Sequence, residues 1–381
     1  MRWPMSDVAR LPLPETDLDD LSLPGWVYRD PDYFKVEMER VIRPAWQVVC
    51  HENDIPEAGD WRTLDIVGES IVVIRGQDGI ARAFANFCRH RGARLVDGQA
   101  GCAKRLTCPY HAWTYATDGR LIALPRREDY RGLDPADWGL IPVELESWHG
   151  FLFVRLDSGG PSVAEMMAPY EHEIAPRRFE ELRALGRITL RPRQVNWKNI
   201  ADNYSDGLHI DVAHPGLTRL FGASYRIEAG AHVDRMSGEL VARPSANLSE
   251  RAYQHFLPKE AGRIWLYLKL WPNVAFDIYP DQVDFMHFVP VSPTETLIRE
   301  ISYALPDDRR EMRAARYLNW RINRQVNAED TGLVARVQQG MASSLYTPGP
   351  LGESEVCVRS FARKLRRLIP ETRQPAPPAR W

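Results

Sequence analysis

Residues 108–113 read CPYHAW, and residues 88–92 read CRHRG. Each stretch sets a cysteine and a histidine at the spacing of metal ligands. Cys88 and His90 are two apart, Cys108 and His111 are three apart, and residues 91–107 lie between the pairs. The surrounding sequence is β in character. WRTLDIVG, SIVVIRG, ARAFANF, RLTCPYHAWTYATDGRL and GFLFVRL are short runs rich in Val, Ile and aromatics, cut by Gly, Asp and Asn. From Trp46 to about Leu156 they predict a small all-β domain whose loops carry the two pairs.

A structural zinc ion uses the same donor set, two thiolates and two imidazoles in a tetrahedron. Zinc fingers, however, group Cys with Cys and His with His, whereas here each pair contributes one of each. That arrangement suits a two-iron cluster held by two loops, with both cysteines on one iron and both histidines on the other. Imidazoles in place of two thiolates raise the reduction potential of a [2Fe–2S] centre. The segment NFCRHRGARL followed by CPYHAWTYATDGRL resembles the Rieske motif of the Rieske non-haem iron oxygenases, large (α) subunit. The resemblance makes Cys88, His90, Cys108 and His111 the cluster ligands. Cys50, Cys102 and Cys357 have no partner pattern and read as isolated thiols. Five cysteines, few and odd in number, argue against a disulfide framework.

A Rieske domain alone could be an electron carrier of little more than a hundred residues. Here more than 200 residues follow, and they hold a second constellation, NWKNIADNYSDGLHIDVAH at 196–214. Asp206 precedes His209 by one helical turn, and His214 follows five residues on. Two imidazoles with a carboxylate bind non-haem Fe(II) while leaving positions open. Five residues turn about 140° on a regular helix. A helix over 196–213 must therefore loosen between His209 and His214 if both bind one ion, and Pro215 makes a break there plausible. The alternative is a helix carrying ordinary polar residues. The stretch resembles the family's mononuclear-iron motif, an acidic residue and Asn, then Asp, two residues, His, four residues, His.

A long helix is predicted from about 308 to 340. Met312, Ala315, Leu318, Ile322, Val326, Leu333 and Val337 recur three or four apart as one buried stripe. Asp330 falls on that stripe, where a carboxylate is costly unless it is paired or binds a metal. A buried ion pair with an Arg would also satisfy it. NAEDTGLVARVQQGM resembles the family helix that donates the carboxylate ligand, with Asp330 in the ligand position and the adjacent Glu329 pointing elsewhere on the wheel.

The resemblance runs from about Leu23 to Pro370. It implies an α+β fold, with a Rieske all-β domain and a START-like helix-grip catalytic domain, an antiparallel sheet wrapped around a long C-terminal helix. The chain divides into an N-terminal segment and helix (1–45) packing with the catalytic domain, the Rieske domain (46–156), the catalytic domain (157–370) and a Pro-rich, frayed tail (371–381). Asp30 and Pro31 begin a helix over 30–45. Further helices are expected at 163–186 and 196–213, and strands at 263–271, 274–279, 283–291 and 295–304. The resemblance also implies the chemistry. NAD(P)H electrons arrive through a separate reductase, with or without a ferredoxin. The [2Fe–2S] cluster passes them to Fe(II), where O2 is activated beside an organic substrate. In this family the productive pair of metal centres spans a subunit boundary in a homotrimer. The bridging carboxylate maps onto Asp206, between His209 and a neighbour's His111. Asn203 maps beside the iron.

Composition narrows the partners. The chain has 381 residues, 44% of them hydrophobic, which is enough for a sizeable core. A net charge of −2 gives no general attraction to nucleic acid or acidic membranes. The absence of a long apolar run and of an apolar leader in MRWPMSDVARLPLPETD predicts a cytoplasmic protein. In RIWLYLKLW, Trp265, Tyr267 and Trp271 share a strand face with Lys269. They read either as core or as the wall of a pocket able to cage a quaternary ammonium. The family members that lack a second subunit type include ring hydroxylases and the betaine, carnitine and choline monooxygenases. Monooxygenation, with demethylation when it falls next to nitrogen, is the expected reaction; ring cis-dihydroxylation is the alternative. An electron carrier or a zinc-stabilised binding module would require the second constellation to hold no metal.

Overall fold

The computed structural model describes residues 18–242, 246–259, 261–379 and 381. The first seventeen residues of the expected N-terminal segment lie outside them. Two antiparallel sheets and a three-stranded ribbon organise the chain. The first sheet runs in the order Gln47–His51, Phe151–Arg155, Pro142–Trp148, Ala81–Ala85, Glu69–Arg75, Asp60–Ile66, Ala100–Cys102. The ribbon joins Leu106–Thr107, Thr114–Tyr115 and Leu121–Ala123. The second sheet runs Arg183–Ala184, Glu295–Ala304, Val283–Ser292, Val274–Ile278, Ile264–Leu270, Val233–Glu239, Arg226–Glu228, with Thr189–Arg193 also paired to Glu295–Ala304. The helix Arg310–Met341 packs along this sheet with Trp197–Ser205 and Leu248–Phe256 beside it.

The run Ile71-Val72-Val73-Ile74 is buried throughout because both faces of its strand are covered. Ile71 and Val73 enter a core shared with the catalytic sheet, while Val72 and Ile74 enter the core under the ribbon. Alternate side chains of a strand point to opposite faces, so one apolar run serves two cores. The shared core draws Trp26, Tyr28 and Tyr33 from the N-terminal segment, Leu64 and Leu152 from the first sheet, Phe288 and Ile298 from the second, and Phe361 and Leu365 from the helix Val356–Leu368. Arg299 reinforces this junction. Its guanidinium donates to the carbonyls of Val48 and Val49 at 2.9 and 3.0 Å.

The four expected catalytic strands and the long helix lie where the pattern places them. Asp30 caps its helix through the N–H groups of Asp32 and Tyr33, and the helix Pro31–Glu37 continues as a π turn over Met38–Ile42. The helix expected over 163–186 does not exist as one element. Short helices at Val163–Met167 and Glu171–Ile174 alternate with 3₁₀ turns at Ala168–Tyr170, Ala175–Arg177 and Phe179–Glu181. Pro169 and Pro176 lack the N–H that a continuous helix needs. The stripe on the long helix also drifts. Val337 is 45% exposed, and Val334 and Gln338 are buried in its place, because contacts three and four apart cannot stay on one line over nine turns. The tail expected to fray lies on the N-terminal segment instead. Trp26 Nε1 donates to Gln374 O at 2.9 Å, and Trp381 packs against the Trp26 and Tyr33 rings.

Candidate metal centres and active site

The two cysteine–histidine loops are built alike. Cys88 N–H donates to Ala93 O at 2.8 Å and Gly92 N–H to Cys88 O at 2.9 Å. Cys108 N–H donates to Trp113 O at 2.8 Å and Ala112 N–H to Cys108 O at 3.1 Å. Each loop turns through a left-handed residue four positions after its cysteine, Gly92 at φ +73° and Ala112 at φ +57°. The loops bring the two thiols together, buried, and set the His90 and His111 rings 4.7 Å apart. The Tyr115 hydroxyl accepts from Arg89 N–H at 3.0 Å, which leaves its own proton for Cys88 Sγ at 3.4 Å. Burial pushes the Cys88 thiol up, against the lowering effect of that hydrogen bond. His111 Nδ1 is buried with no hydrogen-bond partner among the described residues. Two thiols on one side, two imidazoles on the other and an orphaned ring nitrogen fit a [2Fe–2S] group, because a buried nitrogen without a partner is costly unless a ligand takes it.

The second constellation also converges. The helix Trp197–Ser205 ends at Asp206, whose backbone is extended at ψ 132°. A turn leads to the short helix Ile210–Ala213, and His214 leaves helical geometry at φ −118°. The helix expected over 196–213 is thus two helices. The expected loosening between the histidines is found at His214, but a larger break at Asp206–Leu208 precedes both. The capping aspartate accepts Leu208 N–H at 2.8 Å and so stabilises that break. Through it, His209 Nε2 comes to 3.1 Å from His214 Nε2. Asp330 Oδ1 lies 3.1 Å from His214 Nε2 and 3.6 Å from His209 Nε2. Neighbouring ligands at right angles on an ion at about 2.1 Å stand about 3.0 Å apart, so the three atoms could occupy one face of a first-row metal ion. Asn203 Nδ2 donates to Asp330 Oδ1 at 3.1 Å and lies 3.4 Å from His209 Nε2.

The outer nitrogens are held by carboxylates. Asp206 Oδ2 meets His209 Nδ1 at 3.0 Å. Burial pushes Asp206 up, but its bonds to His209 and to Leu208 N–H hold it below the usual carboxylate range. Glu329 Oε2 meets His214 Nδ1 at 2.7 Å. This corrects the helical-wheel reading, in which Glu329 points away. Asp330 and Glu329 reach the same imidazole from opposite edges, because the His214 ring lies across the long helix. A carboxylate on each Nδ1–H fixes the tautomer that offers Nε2 lone pairs to the space between the rings.

That space opens into a cavity of about 100 Å³ lined by Tyr204, Tyr225, Tyr267, Tyr279, Asp277 and Asp284, among others. Of the aromatic stripe on Ile264–Leu270, Tyr267 faces the cavity. Trp265 is buried against Tyr253 and Tyr279, and Trp271 packs on Phe361. Lys269 does not face the cavity either; its ammonium donates to Ala201 O at 3.1 Å and to the Ser205 hydroxyl. The aspartates went unread in the sequence, though each breaks an apolar strand, VAFDI and VDFMHF, and that is a legible signal.

The comparisons with known proteins agree with this geometry. Residues 45–141 match the Rieske [2Fe-2S] domain, and residues 179–371 match the ring hydroxylating alpha subunit (catalytic domain). The carnitine monooxygenase oxygenase subunit of Escherichia coli (strain K12) is 31% identical, over 85% of this chain and 85% of its own. The glycine betaine monooxygenase oxygenase subunit of Pseudomonas aeruginosa (strain UCBPP-PA14) is 33% identical, over 52% of this chain and 46% of its own. The solved structure of the quaternary ammonium Rieske monooxygenase CntA with an inhibitor superposes with a TM-score of 0.79 at 24% identity, covering 93% of this chain and 98% of that one, which establishes the fold.

The chain belongs to the Rieske non-haem iron oxygenases, as an alpha subunit. It is an oxidoreductase with a [2Fe–2S] cluster and a mononuclear iron, and it works with a separate reductase and an organic substrate. Among the described residues no helix is long and apolar enough to cross a membrane.

Proposed function

We propose that this chain is the terminal oxygenase of a monooxygenase that hydroxylates a carbon bonded to nitrogen in a small methylated amine or ammonium compound. The observation that carries this reading is the convergence of His209, His214 and Asp330 on a cavity walled by four tyrosines. A substrate C–H becomes C–OH, the second oxygen atom leaves as water, and two electrons and two protons are consumed. An N–CH2OH product loses formaldehyde, so the net change is demethylation. Carnitine and glycine betaine monooxygenase subunits among the relatives support this over ring cis-dihydroxylation.

Cys88, His90, Cys108 and His111 are the cluster ligands in this reading, and His209, His214 and Asp330 hold the mononuclear iron. When bound, that iron supplies O2 activation. The protein's own part is geometric. Asp206 and Glu329 orient the two imidazoles, Asn203 holds the Asp330 carboxylate, and the tyrosine wall excludes water beside the reacting carbon. A homotrimer in which Asp206 also meets His111 of a neighbour fits the surface. Tyr110, next to His111, is 57% exposed, and Leu208 and Val212 beside Asp206 are 52% and 85% exposed.

The test is O2 uptake with a surrogate reductase and a panel of N-methyl compounds, with formaldehyde measured alongside. One formaldehyde per O2 consumed is expected, and a cis-diol from an arene with no formaldehyde would sink the reading. Glu329→Gln tests the support of His214. It should weaken retention of the mononuclear iron about 10–100-fold against a chelator, with the visible spectrum of the cluster unchanged.

A further inference from the structure

The cavity beside His209, His214 and Asp330 is acidic, and its acids are arranged by the sheet. Tyr267, Asp277, Asp284 and Ser302 are register partners across four adjacent strands, so their side chains form one row on the face turned to the long helix. Asp277 and Asp284 are directly opposed and nearly inaccessible, at 7% and 5% exposure. Asp277 accepts the Tyr204 hydroxyl on one oxygen and the Tyr279 hydroxyl, at 3.2 Å, on the other. Asp284 accepts Gln282 Nε2 at 2.9 Å. Neither makes an ion pair among the described residues. Glu300, one step along the sheet, is paired with Arg191.

Two opposed carboxylates with no cation are unfavourable in a buried sheet. Burial pushes Asp277 up to about 7 and holds Asp284 well above its ordinary range. A cation in the cavity would relieve both. The tyrosine faces suit the same ligand, since methylated ammonium groups are held by aromatic rings. The Tyr267 ring lies 6.3 Å from Tyr204, 6.5 Å from Tyr225 and 6.2 Å from Tyr279, so the four tyrosines that line the cavity form one aromatic cluster beside the aspartates. No Lys or Arg is among the residues lining this cavity. Two arginines lie just beyond the lining: Arg191, taken up by Glu300, and Arg193, which lines a smaller adjoining space behind Tyr204 and Met286 and is the one with no ion pair to hold it from a substrate carboxylate among the described residues.

We propose that Asp277 and Asp284 set the substrate class: the enzyme takes a methylated ammonium cation that carries no carboxylate, in preference to a zwitterion. This rests on the monooxygenase reading above and sharpens it. A betaine-type carboxylate would keep Asp277 and Asp284 in their neutral form and gain nothing from them, whereas a cation is favoured because it draws them into the charged form.

The experiment uses the full chain with both metal centres loaded. Binding of choline, glycine betaine and the neutral isostere 3,3-dimethyl-1-butanol is measured by calorimetry, and turnover is measured in parallel. Choline should bind at least about tenfold more tightly than glycine betaine. Asp277→Asn and Asp284→Asn should each erase about tenfold of the choline affinity and leave the neutral isostere unaffected, which a general loss of packing would not do. The visible spectrum of the cluster and the circular dichroism report whether each variant is folded. Arg193→Gln should change none of the three affinities. Tighter binding of glycine betaine, loss of its binding in Arg193→Gln, or unchanged choline affinity in both aspartate variants would overturn the proposal. Selective choline binding without turnover of any N-methyl compound would leave this inference standing and count against the monooxygenase reading instead.

Discussion

Asp330→Ala should lose the mononuclear iron, keep the cluster, and lower turnover by about a thousandfold, the equivalent of about 4 kcal/mol in the barrier. The reasons are local. Asp330 Oδ1 is the oxygen that faces both Nε2 atoms, and Asn203 donates to that same oxygen. Removing the carboxylate leaves two imidazoles and an amide, which lack the negative charge a ferrous ion needs. The cluster loops are held by their own backbone bonds and by Tyr115, so nothing in the substitution disturbs them. Iron analysis should fall from three to two atoms per chain while the visible and electron paramagnetic resonance signatures of the cluster persist. Retention of the third iron in Asp330→Ala, with its loss in Glu329→Ala, would exchange the roles assigned to these neighbours.

Asp206→Asn separates metal binding from electron delivery. The carboxylate already holds Leu208 N–H on one oxygen and His209 Nδ1 on the other, and a carboxylate has lone pairs left for a third donor. Asparagine keeps the shape but has one acceptor atom and no charge. Both metal centres should load, and the reductase should still reduce the cluster. Oxidation of the cluster in the presence of substrate and O2 should slow by about 10–100-fold, as is typical when an outer hydrogen-bond partner of a ligating histidine is lost. Mixed oligomers of Asp206→Asn and Cys108→Ala chains, prepared from a protein shown to be trimeric, should recover part of the activity. Some of the mixed boundaries, those that set the cluster of an Asp206→Asn chain against Asp206 of a Cys108→Ala chain, pair an intact cluster with an intact bridge. Absence of any recovery would place the transfer within one chain.

The candidate metal-site residues were legible because ligand chemistry imposes spacing. Cys-x-His with Cys-x-x-His, and Asp-x-x-His with four residues to the next His, mark donors that must converge, and these donors lie together in the structure. The carboxylate neighbours were less so. A helical wheel pointed Glu329 elsewhere than Asp330, but the His214 ring lies across the helix and meets two adjacent residues, a fact of tertiary packing that no wheel contains. Period-two alternation located the catalytic strands but not which face would be lined with tyrosine, since Trp265 and Tyr267 sit on one strand face and only the second reaches the cavity. Apolar periodicity likewise suggested one helix over 163–186, where Pro169 and Pro176 divide the chain into turns.

The hydrophobic core that threads both sheets has a mechanical consequence. Strands from the Rieske region and from the catalytic sheet share their apolar side chains with Trp26, Tyr33 and Phe361, and Arg299 binds the backbone of Val48 and Val49 across the junction. A tethered domain can carry electrons by swinging between donor and acceptor, as a ferry does. This one is keyed into its neighbour through that core and cannot leave its berth without exposing it to water. The cluster therefore stays at a fixed distance from the iron of its own chain, and in the homotrimer proposed above the rate of exchange between centres would be set by how chains are placed beside one another, not by diffusion of a domain on a leash.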